Sequence, residues 1–326
     1  MEKVINLGIP HVGEIFFDNI DTEELIQCLF VSQNWRVLVA NVLLQRYSLL
    51  EACRDGKTII VQLYLERQKL EDFGRIFVNK RVPGWTIFMI ACFNGHKDIV
   101  KLLLDMSNIE LNARNDVGHT AFILACHQGH KDVVRLLLTH SKSYIELNAR
   151  NNHGWTAFIM TCINGHKDVV KLILEHPNSN IDLNAKDDDG DTAFITACKN
   201  GNKDVVKSIL EHPNSNIDLN AKDNDGQPAF YSACQFDQKD VVKVILEHSN
   251  STIDLNARAD DGVTAFMISG ILERKEIVKL LLEYSEVRGI DISESEELGS
   301  MMKDFIELHL EALKELRRFI QIHQTK

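Results

Sequence analysis

Cysteine and histidine are the residues here best suited to hold a metal or act as nucleophiles, and the chain carries 7 cysteines and 13 histidines. Cys92, Cys126, Cys162, Cys198 and Cys234 recur at steps of 34, 36, 36 and 36, with Cys53 in a degenerate copy of the same setting. Thiols on adjacent packed helices stand ~8–10 Å apart, whereas a disulfide needs its Cα atoms within ~7 Å. Neighbours on this ladder therefore cannot pair without distortion, and the chain contains no Cys-x-x-Cys. The ladder reads as small buried thiols packed between helices. His176, His212 and His248 also recur once per 36 residues. The same spacing separates them too far to chelate one metal ion, and they fall at helix ends where a partly positive imidazole suits exposed carbonyls. There is no phosphate-cradling glycine loop, no Gly-x-Ser-x-Gly and no His-Glu-x-x-His. The reading expects no catalytic residue, no metal and no cofactor.

The elements that position these residues come from a repeat. Gly84, Gly118, Gly154, Gly190, Gly226 and Gly262 each open a unit, at steps of 34, 36, 36, 36 and 36. Residues 118–126 answer residues 154–162 almost letter for letter, and a Gly-His-Lys-Asp-Val-Val element follows at Gly129 and Gly165. Each unit closes on Leu-Asn-Ala, at Leu111, Leu147, Leu183, Leu219 and Leu255. Thr120 precedes an apolar run and can cap a short helix with its hydroxyl. Gly129 ends that helix where a left-handed residue is needed, and Asp237 takes the same place in a later copy. A second helix follows, with Val133, Val134, Leu137 and Leu138 at helical spacing. Such a helix pair cannot bury its apolar face alone, so stacked pairs share a core.

The units resemble ankyrin repeats, with Thr-Ala-Phe-Ile standing where that family has Thr-Pro-Leu-His. The resemblance runs strongly over 82–284 and weakly back to about 45. It implies an all-α solenoid of about seven helix-turn-helix units with short β-turn or hairpin loops, and a protein that binds other proteins. Residues 45–81 form a degenerate first repeat and 82–284 six more. Beyond Tyr284 the letters stop repeating. Residues 285–326 read as a C-terminal helical cap, with Met302, Phe305, Ile306, Leu313, Leu316, Phe319 and Ile320 able to share one side of one helix or two. A lid on the array and a dimerisation helix both remain open.

Residues 1–44 follow another rule. Ile9-Pro10, then Ile15-Phe16, Asp21, Leu25, Val31 and Trp35 fit three short helices, the second capped by Asp21 or Thr22. The spacing resembles an F-box, which implies docking on the Skp-type adaptor of a cullin-RING ubiquitin ligase. Carried across residue by residue, the adaptor contacts are Ile9, Pro10, Ile15, Phe16, Leu25, Val31 and Trp35, expected to stay partly exposed until docking. The chain then reads as a substrate-recruiting receptor. The alternative is a plain repeat scaffold or inhibitor whose N-terminal helices only cap the array.

Variation among the copies marks the candidate recognition surface. The slot after the opening glycine holds Trp85, His119, Trp155, Asp191, Gln227 and Val263, and the slot after Ala-Cys holds Phe93, His127, Ile163, Lys199, Gln235 and Ile271. The resemblance implies that both slots face the concave side. The turns also gain carboxylates along the chain: Asp187, Asp188, Asp189, Asp191, Asp223, Asp225, Asp260 and Asp261. An aromatic patch beside an acidic row predicts a protein substrate with an apolar anchor and a basic segment.

The remaining signals bound the setting. A formal net charge of -11 argues against nucleic acid and against an anionic membrane surface. The start lacks the apolar run of a signal peptide, and an odd cysteine count suits reduced thiols. The chain is expected in the cytoplasm or nucleus, or in a host cytosol if a microbe secretes it.

Overall fold

The computed structural model describes residues 21–28, 39–40, 43–44, 46–70, 84–106, 109–140, 144–176, 180–212, 216–248, 252–293 and 300–324. It divides into two compact units, residues 1–146 and 147–326. Among the described residues the structure is helical, with isolated bridges at Lys222–Pro228 and Arg258–Thr264.

The first unit holds α1 (Thr22–Cys28) and three helix pairs: α2 (Leu49–Arg54) with α3 (Thr58–Leu70), α4 (Ile87–Phe93) with α5 (Lys97–Leu104), and α6 (Ala121–His127) with α7 (Lys131–Thr139). The short first helices α2, α4 and α6 stack in that order, and α3, α5 and α7 stack behind them. The second unit repeats the plan with α8 (Ala157–Ile163) and α9 (Lys167–Glu175), α10 (Ala193–Lys199) and α11 (Lys203–Leu210), α12 (Ala229–Gln235) and α13 (Lys239–Glu247), then α14 (Ala265–Ile271) and α15 (Lys275–Arg288). A final helix, α16 (Ser300–Gln324), packs on α15.

Local chemistry explains why these short helices form. The hydroxyls of Thr86 and Thr120 accept the amides of Met89 and Ile123, and Thr156, Thr192 and Thr264 do the same in the second unit. Each such cap stabilises a helix by ~1 kcal/mol. Pro228 replaces the threonine before α12, which goes without a side-chain cap. Gly95 follows α4 at φ 75°, and a Cβ there would lie 2.6 Å from the His130 ring. Backbone and space both require glycine. Asp237 and Glu273 occupy the same turn at φ 59° and 54°. The next repeat faces Asp237 with the longer Arg274 instead of a close-packed ring.

The core is a stack of like residues. Phe88 and Phe122 in the first unit, and Phe158, Phe194, Phe230 and Phe266 in the second, are each at most 2% exposed. Truncating a phenylalanine in such a setting costs ~3–5 kcal/mol. Cys53, Cys92, Cys126, Cys162, Cys198 and Cys234 are buried free thiols, as the ladder spacing predicts. Burial pushes Cys53 and Cys234 up to about 12, so they stay protonated.

At the ends the structure refines the sequence reading. Asp21 accepts the amides of Glu23 and Glu24 and caps α1, as predicted. Leu25 departs from expectation: it is 0% exposed, not a partly exposed contact. Thr22 meets the Tyr47 hydroxyl at 3.2 Å and Lys57 pairs with Glu23 at 3.2 Å, so α1 is tied to the first repeat. Ile9, Pro10, Ile15, Phe16, Val31 and Trp35 lie outside the described residues. At the other end α15 runs to Arg288, past the point where the letters stop repeating, and closes on left-handed Gly289. Among the described residues, the C-terminal segment holds a single helix beyond α15, α16, with Met302 and Ile306 buried.

Candidate interaction surface

Each unit is held by side chains that cross from repeat to repeat. Asn112 donates to the Tyr144 carbonyl and accepts the Glu146 amide. In the second unit Asn148, Asn184, Asn220 and Asn256 make the same two bonds to the segment 32–35 residues ahead. A second set reaches backward to the carbonyls ending the previous first helix. His96 meets Arg54 O and His130 meets Phe93 O, each at 2.8 Å. Asn202 donates to Cys162 and Ile163, Gln238 to Lys199, and Arg274 to Gln235. The sequence reading missed both sets. The signal was present: the slot after the turn is filled by His, Asn, Gln or Arg, all bearing N–H donors.

That framework leaves the variable slots to do something else. In the first unit Trp85, Phe93, His119 and His127 converge. The Trp85 and Phe93 rings meet edge to face with centroids 5.3 Å apart, and those of His119 and His127 lie 6.4 Å apart. Together with Asn115, Asp116, Val117 and Leu124 they line an open recess of about 380 Å³. Its floor is fixed by the turn before α6, where buried Asn115 accepts the amides of Val117 and His119. All four rings are half-buried, so each keeps a face for a ligand without hanging free in water.

In the second unit Trp155, Asp191 and Lys199, at the same slots, serve the protein's own packing. The Trp155 and His153 rings lie 5.0 Å apart, tilted by 36°, and Trp155 donates its indole N–H to Asp187 at 3.1 Å. Asp187 does the turn-building work of Asn115, accepting the amides of Asp189 and Asp191. Lys199 lies 2.7 and 2.8 Å from the two Asp191 oxygens and 3.1 Å from Asp223. Asp187, Asp191 and Asp223 are thus buried, at 8%, 7% and 8% exposure, instead of standing on an exposed acidic row. Asp191 and Lys199 neutralise one another, which corrects their reading as free recognition groups. Burial pushes the Asp191 carboxyl up to about 6, against the pull of Lys199. Burial works to lower the Lys199 ammonium, but Asp191 and Asp223 outweigh it and hold the group above its ordinary range. Asp188, Asp189, Asp225, Asp260 and Asp261 do remain exposed, and Ile163 is half-buried.

Repeat length, paired helices, threonine caps and left-handed turns now coincide with a match to known sequences. A family model described as ankyrin repeats (3 copies) matches six overlapping stretches that together run from residue 19 to 296. The chain belongs to the ankyrin-repeat family. Among solved structures, it is similar to the ankyrin repeat domain of Bcl-3, described as a unique member of the IkappaB protein family. The identity is 24% and the TM-score 0.56, covering 66% of this chain and 89% of that one. That likeness supports the fold alone. No curated protein matches significantly. Ankyrin repeats are protein-interaction modules, and that coarse function applies here. Among the described residues no helix is long and apolar enough to cross a membrane, and no group of three or more His, Cys, Asp or Glu is arranged to hold a metal.

Proposed function

We propose that this ankyrin-repeat protein holds a second protein by an apolar anchor seated among Trp85, Phe93, His119 and His127. The observation that carries the reading is their convergence on one recess at positions where the repeats vary. Packing fixes the invariant slots, so it does not account for four rings at variable ones. Aromatic side chains that already keep one face covered are preferred interface anchors. In the second unit the exposed carboxylates Asp188, Asp189, Asp225, Asp260 and Asp261 suit a basic segment of a protein partner. The test is capture from cell extract on the full chain, with Trp85→Ala as comparison. Proteins retained by the wild type and lost from the variant support the reading; an identical set on both sinks it.

A second reading makes the chain a substrate receptor of a cullin-RING ligase. The spacing of Asp21, Leu25, Val31 and Trp35 supports it. The burial of Leu25 and the ties of Thr22 and Glu23 to Tyr47 and Lys57 favour the capping role. Presence or absence of a Skp-type adaptor in the same capture separates the two.

A further inference from the structure

The last two repeats of the second unit depart from a pattern that three earlier repeats share. The residue capping the C-terminus of the short first helix is Asp55, Asn94, Gln128, Asn164 and Asn200 in turn. The asparagines return their amides to the helix: Asn94 to Ile90 O at 2.9 Å, Asn164 to Met160 O and Asn200 to Thr196 O at 2.8 Å. At the next two copies the cap is Phe236 and then Leu272. These apolar side chains give up that bond and are 51% and 39% exposed, and Ile271 beside Leu272 is 53% exposed. Burial within the fold does not explain them. Helices α12 and α14 pack side by side, so the three residues belong to one edge. Arg274 crosses that edge, donating to Gln235 O at 3.3 Å and standing 3.8 Å from Asp237.

We propose that Phe236, Ile271 and Leu272 form a second docking surface, for an amphipathic helix of another protein with two apolar residues seven apart and a lysine or arginine beside them. Two arguments choose this occupant. Equivalent positions on packed helices stand ~8–10 Å apart, and residues seven apart on a helix are separated by about 10.5 Å. One helix laid across α12 and α14 therefore covers Phe236 with one anchor and Leu272 with the other. The charge of the rim then selects a basic flank. The earlier turns carry Gly95, Gly129, Gly165 and Gly201, whereas these carry Asp237 and Glu273. Arg274 offsets Asp237, and among the described residues Glu273 has no cation within ion-pair distance, which leaves an uncompensated carboxylate next to Leu272. The surface is distinct from the recess at Trp85 and does not depend on it.

The test uses the full chain and a fluorescent 14-residue helical peptide with leucine at positions 4 and 11 and flanking lysines. A comparator carries glutamate in place of lysine. The variant is Phe236→Asn with Leu272→Asn, which installs the residue that three of the other repeats use at this cap. The wild type is expected to bind the lysine peptide more tightly than the comparator. The double variant is expected to lose roughly tenfold or more in affinity, about 1.4 kcal/mol, with an unchanged or higher melting temperature. Equal affinity for wild type and variant overturns the proposal, as does no wild-type binding of the lysine peptide. A lower melting temperature in the variant reassigns these residues to packing. Self-association of the wild type that the variant abolishes gives the surface to a second copy instead.

Discussion

The indole N–H of Trp155 donates to Asp187 across 3.1 Å, and the other oxygen of that carboxylate holds the turn that begins the next repeat. One side chain thus fixes both a candidate contact residue and the backbone beneath its neighbour. Asp187→Asn keeps an oxygen for the turn, as Asn115 and Asn151 do upstream, but presents an N–H₂ group to the indole. The expected loss is ~1–3 kcal/mol, with a shifted Trp155 indole resonance. An unmoved resonance would show that the bond is not formed.

Asp191 makes stability depend on pH with a definite sign. Its carboxyl is raised from 3.8 to about 6 in the folded chain, so between those values the folded state keeps a proton that the unfolded chain has lost. The contribution of this group is fully present below about 4 and is lost as pH rises through about 6. Urea unfolding of wild type and Asp191→Asn at pH 4.5 and pH 7 measures it. The Asn variant should gain relative to wild type as pH rises; a relative loss would mean that pairing with Lys199 outweighs burial.

The thiol ladder should be inert until the chain opens. Cys53, Cys92, Cys198 and Cys234 are raised well above an ordinary thiol by burial, which removes the reactive thiolate. A thiol reagent should modify them only in denaturant. Cys162→Ser should cost ~1–3 kcal/mol if the hydroxyl finds no partner, seen as a lower melting temperature. A superimposable melt would contradict the packing role.

Periodic features were legible in the sequence because packing repeats them. Thr120, Gly129, Asp237 and the cysteine positions each recur with a fixed neighbourhood, and the structure places them as expected. The buried trio Asp187, Asp191 and Asp223 was not legible. An aspartate in a turn reads as solvated, and only the third dimension brings Lys199 and Trp155 against it. Leu25 was ambiguous for a related reason, since an amphipathic helix has the same letters whether its apolar side is covered by its own chain or by a partner. The bonding of His96, His130 and Asn202 was not legible either, because their carbonyl partners lie about 40 residues away.

The receptor reading makes its own prediction. Ile9→Ala with Pro10→Ala should abolish co-purification of a Skp-type adaptor and leave thermal unfolding of the repeats nearly unchanged. Undiminished co-purification, or no adaptor with the wild type, would leave the N-terminal helices as a cap.

The recess in the first unit carries the central claim, and photo-crosslinking tests it most directly. A benzoylphenylalanine placed at His119 in the full chain, irradiated in cell extract, should give a discrete crosslinked species that Trp85→Ala removes. The same group at Lys171 or Lys207, exposed on the second helices, should give none. Crosslinks from Lys171 or Lys207 without any from His119 would contradict the account and move the partner to the second helices of the other unit.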